Sequence, residues 1–298
     1  MRKRARCLTL GKLRLINYLS PGLPTILFEG VAAYLREQLG CAVSLSHESR
    51  FSGPPRGRPD PFSSDAVDAA FMCAPPFFWL LERRVPVELL GVAPLFDDPR
   101  CAGQPVYFAD VVTRAGGAAN TFLDLRGGTW AYNDPCSLSG YYCLLQHLAD
   151  TGEEDFFTRL VCSGSHDASL EWVAAGRVSA AAIDSNVLRL RLAAEPRLSK
   201  RLKTLVTWGP FPVQPLVVRS GLDVELKEAL RTALLDLGDV LPPALAASGC
   251  VGFAPVTLEH YRPEVEALQR CQNSLATTPF EFEGEARVLD SARLRSDF

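Results

Sequence analysis

Two short polar segments carry the residues whose types and spacing are best suited to chemistry. The first ends in Ser137-Leu138-Ser139-Gly140, after a β-prone segment and before an apolar helical one. A serine there caps the helix, while the first backbone N–H groups of the helix remain available to an anion. Ser137 and Ser139 can donate hydroxyl protons, and Gly140 permits close approach of a ligand to the backbone. The alternative is a serine that only starts a helix.

The second segment, Ser163-Gly164-Ser165-His166, repeats this arrangement after another predicted strand. His166 falls at or near the first turn of the next helix. A neutral imidazole donates one hydrogen bond, and a bound anion favours its charged form. A purely structural histidine is the alternative, but a second helix start in the same region favours a shared anion site.

A third segment delivers polar residues to the end of a small-residue strand, Ala180 to Ile183. Asp184, Ser185 and Asn186 follow it directly. Asp184 can accept from an amine or hydroxyl of a ligand. Equally, Asp184 or Ser185 can cap the following helix, and both interpretations stay open.

The elements that must position these segments follow a β-α pattern. The chain opens with a strand at 13–19, a helix from Thr25 to Leu39 ended by Gly40, and a strand at 42–45. Strand patterns recur at 67–72, 87–93, 105–113, 129–132, 156–162, 180–183, 205–208 and 213–219, and helical patterns at 77–83, 140–149, 168–175, 223–237 and 255–268. Strands alternating with helices predict an α/β fold of mostly parallel sheets flanked by helices.

Two groups of these units predict two lobes joined by two crossing strands. Lobe 1 is predicted to comprise residues 1–110 plus 212–298, and lobe 2 residues 111–211 with the anion-binding helix N-termini. Ligands of open α/β sheets bind outside the carboxyl ends of the strands, which here predicts a cleft between the lobes.

Bulk composition is that of a globular protein, with 47% hydrophobic and 22% charged residues. A net charge of −3 offers no electrostatic footprint for nucleic acid. The start is basic (1–7), but Gly11, Lys12 and Arg14 interrupt the apolar segment expected of an export signal. No run is long and apolar enough to span a bilayer. We therefore predict a cytoplasmic protein with no nucleic-acid partner and no membrane insertion.

Nine cysteines are scattered along the chain without a CxxC pair. This spacing argues against a zinc or thioredoxin-like site and predicts reduced, mostly buried thiols in a reducing compartment. No HExxH, P-loop, GxSxG or GxGxxG motif occurs in a suitable context. We predict no metal and no cofactor.

Together, the three segments resemble one known family. The runs 133–141, Gly164-Ser165-His166 and 176–184 are similar to those of the phosphate, phosphite and phosphonate solute-binding proteins of the phosphonate-transport type. Residues 67–71 and 105–108 resemble the first lobe and hinge entry of that family. The resemblance spans roughly residues 13–218 and implies the two-lobed type II periplasmic-binding-protein fold.

The resemblance also implies residue roles. The oxyanion would be held by Ser137, the N–H of Leu138, Ser139 and His166. Tyr107, Tyr18 and Asp184 would complete the site: Tyr107 walls the cleft from the first lobe, Tyr18 follows the first strand, and Asp184 faces the distal end of the ligand.

This chain departs from the family in two respects. Family members are normally exported and feed a membrane transporter, and without an export signal we predict that a transporter partner is doubtful. Leu138 stands where a hydroxyl residue is common, so one side-chain donor is missing.

The prediction is a non-catalytic binding protein for a small phosphate-like or phosphonate-like anion. The alternatives are a cytoplasmic enzyme on the same fold, of the thiamine- or menaquinone-precursor type, with Cys136, His166 and Asp184 as candidate groups, and a regulatory protein that has lost its ligand.

Overall fold

The computed structural model describes residues 12–153, 155–237, 241–275 and 288–290. The basic segment at 1–7, on which the export prediction partly depends, lies outside them. The described strands are β1 (Lys12–Asn17), β2 (Ala42–His47), β3 (Ala69–Phe71), β4 (Val87–Leu89), β5 (Val92–Phe96), β6 (Val106–Arg114), β7 (Thr129–Tyr132), β8 (Arg159–Cys162), β9 (Ala180–Asp184), β10 (Leu202–Pro212), β11 (Leu216–Arg219), β12 (Cys250–Pro255) and β13 (Val288–Asp290). The described helices are α1 (Thr25–Leu39), α2 (Ala74–Glu82), α3 (Cys143–Thr151), α4 (His166–Ala174), α5 (Ser185–Ala194), α6 (Pro196–Ser199), α7 (Val224–Leu235), α8 (Pro243–Ala247) and α9 (Arg262–Leu275).

The chain divides into two compact units. The first comprises Met1–Val106 and Pro212–Arg262, and the second Tyr107–Phe211 and Pro263–Phe298. The predicted lobes differ at the C-terminus, because they assigned all of 212–298 to the first lobe. Most of α9 groups with the second unit, and its Cys271 thiol is close enough to Tyr141 to affect the pKa of that tyrosine.

The first unit contains a five-stranded sheet in the order β2-β1-β3-β11-β4 and a two-stranded sheet of β5 and β12. Strands β2, β1 and β3 are parallel, and β11 runs antiparallel to its neighbours. Helix α1 has the predicted bounds because its apolar stripe is buried and Gly40 ends it in the left-handed conformation, with φ 63°.

Two boundaries in the first unit differ from the predictions. Helix α2 begins at Ala74, three residues early, because Pro75 and Pro76 occupy a first turn where backbone N–H groups lack helical partners. The strand predicted at 87–93 is split into β4 and β5 at Gly91, whose φ of 83° breaks the extended run.

The second unit contains a six-stranded sheet in the order β10-β6-β9-β7-β8-β13. Strand β7 is parallel to both β8 and β9, whereas β6 is antiparallel to β9. The carboxyl ends of β7, β8 and β9 therefore share one edge of the sheet, where the start of β6 also lies, since Ala109 pairs with Asp184. This edge, called here the carboxyl edge, brings the three polar segments of the sequence together.

The predicted α/β class, with parallel strands at the centre of each main sheet and helices around them, is confirmed. None of the eight cysteines within the described residues forms a disulfide, and all but the half-buried Cys162 are buried. None of the helices in the described part of the chain has the length and apolar character needed to cross a membrane.

Candidate functional site

The Ser137–Gly140 segment forms the start of a helix at the carboxyl edge. Ser137 is extended and caps a π-helical turn, Leu138–Tyr142, which continues into α3. The Ser137 Oγ accepts from the Gly140 N–H at 3.1 Å. Because this bond uses an oxygen lone pair, the hydroxyl proton remains available as a donor. The helix predicted at 140–149 therefore begins with a π-helical turn, which is wider than an α-helical one and is frequent at functional sites.

Ser139 and His166 meet at this edge. The Ser139 Oγ lies 3.4 Å from the His166 Nε2, and both side chains are buried. Ser165, rather than His166, caps α4, with its Oγ accepting from the Ala168 N–H at 3.0 Å. His166 is the first helical residue, two residues before the predicted start. The two helix starts predicted from the sequence are therefore adjacent.

His166 is a neutral donor or acceptor in this setting. Burial lowers the pKa of His166 from 6.5 to about 4 because it removes water from the charged form. Its Nδ1 is buried and has no hydrogen-bond partner among the described residues. A buried ring nitrogen without a partner is costly, so a group that binds beside His166 has a free nitrogen to pair with.

Asp184 acts as the cap of α5. Its Oδ1 accepts from the Asn186 N–H at 2.8 Å and from the Val187 N–H at 3.4 Å. The capping interpretation left open by the sequence is therefore present, and it uses amides that an anion would otherwise contact. A contact between Asp184 and a distal ligand group stays a prediction.

The two predicted tyrosines lie in different units. Tyr107 is the first residue of the second unit and is buried, with its ring centroid 6.0 Å from that of Phe211. Next to it, the Phe108 N–H donates to the Ser185 Oγ at 3.1 Å, which ties β6 to the start of α5. The predicted boundary at 110 had assigned Tyr107 to the first lobe. Tyr18 follows β1 in the first unit, where burial raises the pKa of its hydroxyl.

Asn133 was not selected from the sequence, although it begins the loop after β7. Its Nδ2 donates to the Asp134 Oδ2 at 2.9 Å, and its Oδ1 is buried. A Cβ built on Gly140 would lie 1.8 Å from that Oδ1. Gly140 was the only hint of this contact in the sequence. That Asn133 occupies the space where a side chain at position 140 would lie is visible only in the tertiary structure.

The fold of the chain is shared with a class of solved binding proteins. The structure is similar to the binding-protein component of an ABC phosphonate transporter from Pseudomonas aeruginosa, with a TM-score of 0.73 and 19% identity over 95% of this chain and 93% of that one. PhnD1 from Prochlorococcus marinus, solved with methylphosphonate, matches with a TM-score of 0.73 and 14% identity over 90% and 99% of the chains. A Xanthomonas citri protein bound to ATP matches with a TM-score of 0.67 and 18% identity over 91% and 100%. The chain thus has the periplasmic-binding-protein fold.

A family model narrows this class. Residues 24–261 match the model of the periplasmic substrate-binding proteins of ABC phosphonate transporters. The protein belongs to this family, and the resemblance predicted from 133–141, His166 and 176–184 is confirmed.

Family membership corrects two predictions and bears on a third. The predicted cytoplasmic location is wrong, because the family consists of periplasmic proteins. Buried thiols pack as small apolar groups and do not report on the redox compartment, so the cysteines no longer support a cytoplasmic location. The statement that a transporter partner is doubtful is not supported either, since family members work with ABC transporters. The alternative of an enzyme is not favoured.

Proposed function

We propose that this protein binds a small oxyanion of the phosphonate or phosphate type at the carboxyl edge of its second unit and releases it unchanged to an ABC transporter. The observation that carries the proposal is the 3.4 Å separation of the Ser139 Oγ and the His166 Nε2. It means that two helix starts, each with a polar side chain, can donate to the same ligand oxygens.

Uncharged donors would hold the anion in this proposal. The hydroxyls of Ser137 and Ser139, the Leu138 N–H and the His166 ring point to charge neutralisation by dipoles and hydrogen bonds, with no lysine or arginine among the predicted residues. Hydrogen bonds to a charged acceptor are stronger than neutral ones, and burial strengthens them further. The solved relative with methylphosphonate supports this class of ligand.

Because position 138 is a leucine, the site has one side-chain donor fewer than a site with a hydroxyl residue there. Leu138 contributes its backbone N–H but no hydroxyl, so we expect Leu138→Thr to strengthen oxyanion binding. One added hydrogen bond to a charged group corresponds to roughly a tenfold gain in affinity. Contacts from Tyr107 and Asp184, both in the second unit, to the remainder of the ligand complete the proposal. The role of Tyr18 stays a prediction from the sequence.

The test is isothermal calorimetry with methylphosphonate, phosphite, phosphate and sulfate, and with ATP as a larger phosphorylated compound. Ser139→Ala and His166→Ala are each expected to weaken binding by about tenfold to a hundredfold, because each removes a donor to a charged acceptor. Ser199→Ala is the control, since Ser199 is exposed and its hydroxyl donates to the nearby Pro196 carbonyl. Unchanged affinity in both site variants would place the ligand elsewhere.

A further inference from the structure

Gly140 is required by space rather than by backbone conformation. Its φ angle is not positive, so residues with a side chain can adopt the same backbone conformation. A Cβ at this position would nevertheless lie 1.8 Å from the Asn133 Oδ1 and 3.0 Å from the Asn133 Cγ. Cβ atoms are essentially never found within 3.0 Å of another heavy atom, so either the loop or the Asn133 side chain would have to move.

Hydrogen bonds hold both the side chain and the backbone of Asn133. Its Nδ2 donates to the Asp134 Oδ2 at 2.9 Å, and the Asp134 Oδ1 accepts from the Cys136 N–H at 2.8 Å. The Cys162 thiol, at the end of β8, donates to the Asn133 carbonyl at 3.6 Å. The Asn133 carboxamide therefore forms a fixed surface beneath the turn that begins at Ser137.

The Oδ1 of Asn133 faces this turn without a conventional donor. It is buried and has no hydrogen-bond partner among the described residues. It packs against the Cα of Gly140, whose N–H donates to the Ser137 Oγ. Any shift of Gly140 thus changes the Ser137 bond and moves the neighbouring Ser139.

We propose that Asn133 is a positioning residue, whose carboxamide packs against the Gly140 Cα and fixes Ser137 and Ser139 relative to His166. This inference rests on the proposed function for its effect on binding, but the packing between Asn133 and Gly140 holds without a ligand. It replaces the interpretation of Gly140 as the place where a ligand approaches the backbone.

A double-mutant cycle of Gly140→Ala, Asn133→Ala and the combined variant tests the proposal. Thermal unfolding without ligand and calorimetric titration with methylphosphonate and with inorganic phosphate are the two measurements. Gly116→Ala is the matched control, because a Cβ at Gly116, in the same unit, meets no atom within 4 Å.

Gly140→Ala alone is expected to lower the melting temperature and to weaken binding most. The combined variant regains most of the melting temperature, because the colliding carboxamide is gone. It binds like Asn133→Ala alone, which is weaker than the parent but about tenfold tighter than Gly140→Ala, since contacting residues are coupled to this extent. Gly116→Ala leaves both measurements at the parental values.

Three results would overturn the proposal. Gly140→Ala as stable as the parent would mean that the collision is absent. A combined variant that recovers stability but not affinity would mean that the ligand itself needs the space at Gly140. If Gly140→Ala does not fold, a combined variant that also fails to fold would mean that removing the Asn133 carboxamide does not relieve the collision. If no ligand binds the parent, the proposed function fails, and the melting temperatures still decide whether the two residues collide.

Discussion

The burial of His166 predicts that the second unit loses stability as the pH falls below neutrality. The pKa of His166 is lowered from 6.5 to about 4 by burial. Between these values the unfolded chain binds a proton at this position and the folded chain does not. Protonation therefore pulls the equilibrium toward the unfolded state, and the stability present at pH 7.5 is lost as the pH falls through this window.

The size of this loss follows from the two pKa values. At pH 5 the unfolded imidazole is almost fully charged and the folded one almost fully neutral. The free energy of unfolding is then lower by about 2 kcal/mol than at pH 7.5. In urea this corresponds to a midpoint shift of roughly 0.7–2 M.

His166→Gln removes the titration while keeping a neutral side chain that can donate a hydrogen bond. The assay is urea unfolding of parent and variant at pH 7.5 and pH 5, followed by tryptophan fluorescence. Three of the four tryptophans, Trp130, Trp172 and Trp208, belong to the second unit, so the signal mainly reports the unit that contains His166.

The decisive quantity is the difference between the pH dependence of the parent and that of His166→Gln. We expect the variant to be less sensitive to acid by about 2 kcal/mol. Ser199→Ala, an exposed position in the second unit without a titrating side chain, is the control and should keep the parental dependence. Equal losses in parent and His166→Gln would refute the link between burial of His166 and its neutral state.

Three further changes test other parts of the structure by urea unfolding. Glu264 is buried, and burial raises its pKa to about 7. The free energy of unfolding therefore falls as the pH rises from 4.5 toward 7, because the carboxyl group ionises in the unfolded chain before it does so in the folded one. Glu264→Gln should stabilise the protein at pH 7.5 by roughly 2 kcal/mol and have little effect at pH 4.5. Asp184→Ala removes the cap of α5 and should cost about 1–2 kcal/mol at pH 7.5, more than the same change at exposed Asp150. Asp68 is buried between Arg14, at 2.8 Å, and Arg219, at 3.2 Å, so Asp68→Asn should destabilise the first unit by about 2–3 kcal/mol.

Sequence patterns located most elements and were weakest at their ends. Helix α1 could be bounded to the residue because its apolar stripe and Gly40 are local signals. The π-helical turn Leu138–Tyr142 could not, because it depends on contacts from outside the segment, such as the Trp130 Nε1 at 3.5 Å from the Gly140 carbonyl. Parallel β-α units were evident, but the grouping of α9 with the second unit depends on which surface its apolar face covers.

The composition of the candidate site was readable from the sequence, because helix starts after strands are marked by local residues such as Ser137, Ser165 and Asp184. Tertiary structure decided which of them meet. Ser139 and His166 are 27 residues apart and come within 3.4 Å because parallel strands β7 and β8 end at the same edge of one sheet. It also decided that Asn133 occupies the space beside Gly140. Capping and periodicity act within a few residues of the chain, whereas the packing of side chains depends on strand order and register.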